Sequence, residues 1–531
     1  MNHKSLQTSQ KLRGAYYTPE KIVKLFLKWS IDEKKIQNIL EPSAGDGRFI
    51  NNIVNINKDS NVTAIEIDEN EVKKICPKLE KANFKIINDD FYNFYENNRD
   101  KKFDVIIGNP PYIRYQFLTE EQRKYQSDIL INNKLKPNKL INAWMAFTVA
   151  ALELLALNGK IAFVLPTDIF QVTYAKQLRK FLFNSLKEIT IINFKKIIFE
   201  ETQQDVILLL GVKKESQIEK SKLSILNLNN LDELTENLNL EPIDFYEHYE
   251  TDKWTIFKLE NNFRKYYQSN FLKATESFNK ICKTEVGITT GNNDFFVISN
   301  EKVLNYNLSP YVIPVIGRSV DVSGIFYSKS DLEKNIKNNN KIWLLDFNNK
   351  KINEAAKKYL DNGIEEKQNI GYKLSIREKW YEVPSIWKPE AFLLRRIGKF
   401  PKLLKNEISA VSTDTFHRIK LIDNYDIYKL LFLFYSSPVL LSFELEGRVF
   451  GGGALEILPG DLKNIRIPII EEEKLNYKKL AEKLDEKLRK NIVIEQIVKW
   501  VDEQIASVTM FSKDELLTIY NTWLELNKKR Y

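Results

Sequence analysis

The chain of 531 residues holds two cysteines, Cys76 and Cys282, more than two hundred positions apart. So few, so far apart, they exclude a disulfide framework and a cysteine-rich zinc site, and they predict a reducing compartment. Three histidines, His3, His248 and His417, leave little material for a zinc enzyme or a histidine-based triad, and no metal is expected. No run approaches the ~20 apolar residues of a membrane span. The opening MNHKSLQTSQKLRG lacks the apolar stretch of a secretory signal, so a cytoplasmic location with no membrane partner is expected. Eighteen glycines and sixteen prolines are too few for collagen-like or low-complexity sequence. A strong charge bias is missing too. The net +9, from 80 Lys and Arg against 71 Asp and Glu, permits a polyanionic partner without demanding one.

What is present is the composition of a folded protein, 43% apolar, 28% charged and 12% aromatic, over a length that predicts two or more domains. Through the first 215 residues, short Ile- and Val-rich runs alternate with helix-like segments. This is the rhythm of an α/β fold with a mostly parallel, doubly wound sheet. Strands are predicted at 38–41, 62–67, 84–88, 103–108, 160–165, 188–194 and 205–212, with a long apolar helix at 139–157 that Gly159 would end. The polar, Asn- and Glu-rich stretch from Lys213 to Glu250 predicts a domain junction. Beyond it, β-like pieces (VGITT, FFVIS, YVIPVIG, KIWLLDF) mix with isolated helices, and after Pro468 leucines and isoleucines at helical spacing predict an amphipathic helical tail.

The segment Ile39 to Ile50 (ILEPSAGDGRFI) reads as a strand entering a glycine-containing turn and then a helix. Gly45 and Gly47 lack a Cβ, so a ligand can approach the backbone there. G-D-G alone is a weak signal, since an ordinary βα turn accounts for it as well. Glu66, about twenty residues on, adds a carboxylate able to grip two ribose hydroxyls. After the next strand, Asn88-Asp89-Asp90-Phe91 supplies a carboxylate for an adenine amine and a ring for its face. All three groups fall at the carboxyl ends of strands, where such sheets bind ligands, and together they predict an adenosyl cofactor.

The fourth strand runs into Gly108-Asn109-Pro110-Pro111-Tyr112. Consecutive prolines hold the backbone extended and remove two N–H donors, which leaves their carbonyls free to accept. The Asn109 amide oxygen and the Pro110 carbonyl can then hold a substrate amine with its lone pair presented to an electrophilic methyl group. Tyr112 offers a ring on which a planar base can stack.

In order along the chain, GAYYTPEKIV (14–23), LEPSAGDGRFI (40–50), IEIDEN (65–70), NDDF (88–91), IIGNPPY (106–112), GKIAFVLPTDIF (159–170) and KKIIFEETQQDVILLL (195–210) resemble the motifs of one family. These are the amino-group DNA methyltransferases that use S-adenosylmethionine, and within them the gamma-class N6-adenine enzymes of restriction-modification systems. The resemblance covers about the first 215 residues and implies a Rossmann-like class I S-adenosylmethionine-dependent methyltransferase domain. It implies that Tyr16, Thr18 and Pro19 close over the methionine end of the cofactor, above a turn made of Glu41, Pro42, Ala44, Gly45 and Gly47. Glu66 with Ile67 would meet the ribose, and Asp89 or Asp90 with Phe91 the adenine. Asn109, Pro110, Pro111 and Tyr112 would hold a flipped adenine, with Phe199 against its other face and with Asn109 and Pro111 also bordering the cofactor. Where the family often has Asp before the turn proline, this chain has Glu41.

The second half resembles the target-recognition regions of the same enzymes through VGITTGNNDFFVIS (286–299), WYEVP (380–384), STDTFHRI (412–419) and GRVFGGGALEILPGDLKNIRIPI (447–469). Residues 371–405 carry nine Lys or Arg against three Asp or Glu, interleaved with Trp380, Tyr381, Trp387, Phe392 and Phe400. A surface that meets phosphates and stacks on bases has this make-up. Arg377, Arg395, Arg396, His417 and Arg418 are the candidates for DNA contact. The expected arrangement is a catalytic domain over 1–240, a mixed α+β target-recognition domain over 241–470 and a helical segment over 471–531. S-adenosyl-L-methionine is the expected cofactor and double-stranded DNA the expected partner, with a cognate restriction endonuclease acting separately and a monomeric active form. Methyltransferases for glutamine side chains or guanine amines resemble the same core, but such enzymes do not generally need a recognition region of nearly 300 residues after it.

Overall fold

The computed structural model describes residues 18–75, 83–172, 174–194, 198, 205–216, 218–235, 253–423, 425–449 and 453–530. The chain divides into two compact units, Met1–Glu260 and Asn261–Tyr531. The boundary expected at 240/241 lies outside the described residues.

Eight strands form the sheet of the first unit: β1 Asn38–Glu41, β2 Asn61–Glu66, β3 Phe84–Asn88, β4 Phe103–Gly108, β5 Leu155–Pro166, β6 Leu186–Phe194, β7 Val206–Lys213 and β8 Lys222–Leu228. Their order is β3-β2-β1-β4-β5-β7-β6-β8. Every neighbouring pair is parallel except those of β7, which runs antiparallel between β5 and β6. The central strands are unbroken apolar runs because both faces are covered, and β7 is buried from Val206 through Val212. The helices that frame the site are α1 Glu20–Ser30, α2 Arg48–Ile56, α3 Glu69–Ile75, α4 Phe91–Asn97, α5 Glu120–Asn132 and α6 Ala143–Leu154. Helix α1 buries an apolar stripe in one core, with Ile39, Val105 and Leu208 of the sheet. Helix α6, apolar all round, lies in the other core with Ile106, Phe163 and Leu209.

Two expectations are corrected here. The stretch read as a junction from Lys213 contains β8, which pairs in parallel with β6 at the sheet edge. The strand itself is apolar at Leu223, Ile225, Leu226 and Leu228, and the polar sequence on both sides hides it. Gly159 does not end the apolar helix. Helix α6 stops at Leu154, the chain passes directly into β5 at Leu155, and Gly159 sits inside that strand beside Asn158, whose φ is +58°.

The second unit is built on a five-stranded and a four-stranded sheet. Its strands are β9 Cys282–Val286, β10 Val297–Ser299, β11 Val312–Ile316, β12 Phe326–Tyr327, β13 Lys341–Leu345, β14 Ala391–Leu394, β15 Leu403–Asn406, β16 Val411–Ser412 and β17 Phe416–Leu421. The orders are β9-β17-β14-β15-β12 and β10-β13-β11-β16. Helices α7 Glu354–Glu365, α8 Tyr372–Ser375, α9 Ile427–Leu433 and α10 Ser437–Glu446 precede a tail of α11 Tyr477–Arg489, α12 Ile494–Ile505 and α13 Lys513–Lys528. Arg489 of α11 pairs with Asp331 at 2.7 Å and with Asp485 at 2.6 Å. The Asp485 carboxylate in turn accepts from the backbone N–H of Ile325 and Phe326, so the tail is clipped to β12. Among the described residues no single helix is long and apolar enough to cross a membrane.

Candidate active site

The carboxyl ends of β1 to β4 converge on a cavity of about 590 Å³. Its floor is the turn after β1. Gly45 and Gly47 have φ of +54° and +77°, a region that L side chains rarely adopt. At Gly47 a Cβ would also come within 3.0 Å of Ile75. The turn is stitched to the end of β2: the N–H of Ala44 donates to the Ile65 carbonyl at 2.9 Å, and that of Gly45 donates to Glu66 Oε2 at 2.7 Å. Glu66 Oε1 accepts from the Asp68 N–H at 2.8 Å. Arg48 closes one side, donating to the Thr18 carbonyl at 2.9 Å and to the Asp46 carboxylate at 2.6 Å.

The floor is acidic. Glu41 is buried, and its Oε2 has no hydrogen-bond partner among the described residues. Burial, with the charges of Asp46 and Glu66 added, holds its carboxyl well above the usual carboxylate range. Burial raises Glu66 as well, against the lowering effect of its two N–H donors.

At the end of β3, Asp90 caps α4, its Oδ1 accepting from the Tyr92 N–H at 2.8 Å. Its Oδ2 accepts from the Gln122 amide at 2.7 Å. Asp89 is held instead by Asn93, 3.0 Å from each carboxylate oxygen. The Phe91 ring packs on Phe147 of α6, centroids 4.4 Å apart. At the end of β4 the Asn109 carbonyl accepts from the Ser43 hydroxyl at 3.0 Å. The Tyr112 hydroxyl lies 3.0 Å from both Asn109 Oδ1 and the Val164 carbonyl, its single hydrogen shared between them.

Of the residues expected around the cofactor, Thr18, Glu41, Pro42, Ala44, Gly45, Glu66, Ile67, Asp89, Asp90, Phe91, Asn109 and Pro111 line this cavity. Pro19, Gly47, Pro110 and Tyr112 are not on its wall. Tyr16 and Phe199 lie outside the described residues. Sequence reasoning misses Phe117, Leu118 and Gln122 from the stretch after the Pro-Pro loop, and Ala143 and Phe147 from α6, all on the wall. The one legible signal among them is Thr119-x-x-Gln122, a helix capping box. That pattern places the Gln122 amide at a helix start without showing that its other end reaches Asp90.

The candidate DNA contacts divide. His417 is a correction: it is fully buried in β17, with Nε2 2.8 Å from the Ile457 carbonyl, and burial lowers its pKa, so it offers no surface contact. Arg418 is corrected too. Its buried guanidinium donates to the Ser385 and Val286 carbonyls, pairs with Glu285 and lies over Trp387. Arg377 braces the backbone by donating to the Thr290 and Trp380 carbonyls. Arg395 and Arg396 both lie against Glu456, and of the two Arg396 is exposed.

A mostly parallel sheet with one reversed strand and a cavity across the ends of β1 to β4 defines the S-adenosylmethionine-dependent methyltransferase fold. Residues 20–199 match the Eco57I restriction-modification methylase family, and residues 251–506 match the C-terminal domain of Type II methyltransferase M.Eco57I. The chain belongs to these restriction-modification DNA methyltransferases. Type II methyltransferase M.AccI of Acinetobacter calcoaceticus is 26% identical over 465 residues, 84% of either chain. M.HincII of Haemophilus influenzae is 31% identical over 202 residues, 38% of this chain and 37% of that one. The fold is shared with the Type IIL restriction-modification enzyme MmeI, solved in complex with DNA, at 13% identity and a TM-score of 0.53, covering 99% of this chain and 77% of that one. It is also shared with DrdV, solved as a DNA complex, at 11% identity and a TM-score of 0.54, covering 90% and 57%.

Proposed function

We propose that the chain methylates the exocyclic N6 amine of an adenine in duplex DNA, with S-adenosylmethionine as donor, the first unit being catalytic and the second recognising the target. The observation that carries this reading is the Asn109 to Tyr112 loop at the end of β4, with Asn109 and Pro111 on the wall of the same cavity as Gly45, Glu66 and Asp90.

The cavity suits that donor. Ile67 and Phe117 are exposed apolar side chains on its wall, fit to cover the faces of a planar base. Asp89 and Asp90 stand ready for an amine at its edge, and Glu66 for hydroxyls. The unpartnered Glu41 oxygen in an acidic floor suits a cationic group. When bound, the cofactor supplies an electrophilic sulfonium methyl.

The rest falls to the chain's own residues. Asn109 Oδ1 and the Pro110 carbonyl accept from the two hydrogens of the target amine and so fix its lone pair in direction. Tyr112 gives the extruded base a ring to stack on, which offsets part of the few kcal/mol that extrusion costs. No general base is required, because the amine becomes acidic once methylated and sheds its proton afterwards.

The test is single-molecule sequencing of DNA from a methylation-free host expressing the chain. Methylated adenine in one fixed sequence context, absent when Asn109→Ala replaces the wild type, is the expected result. Unmodified DNA beside soluble protein overturns the reading, and methylated cytosine changes the base.

A further inference from the structure

The turn after β1 and the Pro-Pro loop after β4 meet at a contact to which the proposed activity gives no part. The two strands lie side by side in parallel, Ile39 against Val105 and Leu40 against Ile106. Carried past their ends, that register brings Ser43 of the turn beside Asn109 of the loop. The approach is close: a Cβ built on Gly108 would lie 3.6 Å from Pro42 and 3.9 Å from Ser43 Oγ. The half-buried Ser43 donates its hydroxyl hydrogen to the Asn109 carbonyl at 3.0 Å.

That carbonyl is a handle on the residue after it. It belongs to the peptide group shared with Pro110, which has no N–H, so a hydrogen bond can hold the group only by its oxygen. Two torsions separate it from the next carbonyl, that of Pro110. The pyrrolidine ring locks the first, φ of Pro110, at about −65°. Pro111 confines the second, ψ of Pro110, to about +120° to +160°, because its Cδ clashes with the preceding residue otherwise. A non-proline at either position would leave a torsion free to turn. With both prolines the stretch is a lever of fixed shape, and holding the Asn109 carbonyl sets where the Pro110 carbonyl points. The end that holds it is itself anchored, since the next two residues of the turn, Ala44 and Gly45, donate their N–H groups to Ile65 and Glu66 at the end of β2.

We infer that Ser43 is a positioning residue for methyl transfer: through the Asn109 carbonyl its hydroxyl fixes the direction of the Pro110 carbonyl, one of the two acceptors of the target amine, relative to the floor of the cavity. The inference rests on the proposed activity, in which that carbonyl accepts from the amine. Without the hydroxyl, strand pairing still holds turn and loop in place, but the lever can pivot about the Asn109 backbone, and the lone pair of the amine is less often in line with the methyl group.

The experiment measures single-turnover methyl incorporation into plasmid DNA from a methylation-free host, at saturating protein and S-adenosylmethionine, beside calorimetric binding of S-adenosylhomocysteine to the same protein. Ser43→Ala lowers the single-turnover rate on the order of 10- to 100-fold, while S-adenosylhomocysteine binds as it does to the wild type. Ser43→Thr, which keeps the hydroxyl, restores the rate. Ser43→Val, of the same shape without it, does not, and this pair decides the matter even if Ser43→Ala binds the ligand poorly. Because the lever needs both prolines, Ser43→Ala slows transfer by a smaller factor in a Pro111→Ala background than alone. Weaker binding with an unaltered saturated rate would make Ser43 a cofactor contact and overturn the inference. So would Ser43→Thr as slow as Ser43→Val, or equal losses with and without Pro111. A wild type that methylates DNA beside an equally fast Ser43→Ala overturns the inference alone, whereas a wild type that binds S-adenosylhomocysteine and methylates nothing overturns the proposed activity and the inference with it.

Discussion

Asn109 Oδ1 has two lone pairs. One accepts from the Tyr112 hydroxyl, which orients the amide. Asn109→Ala removes acceptor and orientation together, so methyl transfer falls below detection while cofactor affinity, measured by calorimetry, stays near wild type. Substantial residual turnover would sink the role. Glu41 makes a prediction of opposite kind. Its carboxyl is held well above the usual carboxylate range by burial and by Asp46 and Glu66, so it gives up its proton at a higher pH than an exposed glutamate does. A cationic ligand favours the ionised form. Cofactor affinity of the wild type therefore rises as pH climbs through that raised pKa, with proton release on binding. Glu41→Gln binds more weakly and loses this dependence. Titration in two buffers of different ionisation enthalpy distinguishes the two, and equal slopes for both proteins would refute the role.

Elements bring these residues together, and they differ in how plainly the sequence shows them. Strands β1, β2 and β4 are plain because a buried parallel strand is a short apolar run, while β3, half-exposed at the sheet edge, shows through Phe84, Ile86 and Ile87, and each ends at its motif. The cavity's opposite wall is not, because Phe117, Gln122 and Phe147 come from segments whose patterns report helix geometry and core packing, not what lies across a gap. His417 and Arg418 mislead for a related reason: composition reports charge along the chain, and only the packing around β17 shows that both side chains, on opposite faces of the strand, are covered. Helix α5 makes the point testable. Gln122 accepts the Thr119 N–H at 3.1 Å as part of the capping box and donates to Asp90 at 2.7 Å. One side chain thus ties a helix start to the carboxylate at the cofactor end of the cavity. Gln122→Leu loses both contacts. The helix loses about 1 kcal/mol of capping, and KM for the cofactor rises several-fold while kcat changes little. An unchanged KM would show that Asp90 needs no such support.

At the scale of the whole molecule, the second unit holds its helical tail by a few buried polar contacts. Arg489 pairs with Asp331, and Arg530 pairs with Glu444 where both side chains are almost fully buried. From α12, Asp502 Oδ1 accepts the Ser437 N–H at 2.9 Å at the start of α10. Burial pushes the Asp502 carboxyl from its ordinary 3.8 up to about 7. The sign of its effect follows from proton counting. Between those values the folded chain keeps a proton that the unfolded chain has released, so stability falls as pH rises from about 4 through about 7, and the loss is complete above that. The interval corresponds to on the order of 4 kcal/mol for this one group. Asp502→Asn keeps an acceptor for the Ser437 N–H but cannot ionise. It should match the wild type near pH 4, exceed it increasingly up to about pH 7 and by a constant margin above that, as measured by urea unfolding followed through tryptophan fluorescence. Parallel stability curves across that range would mean that Asp502 titrates as an exposed carboxyl does.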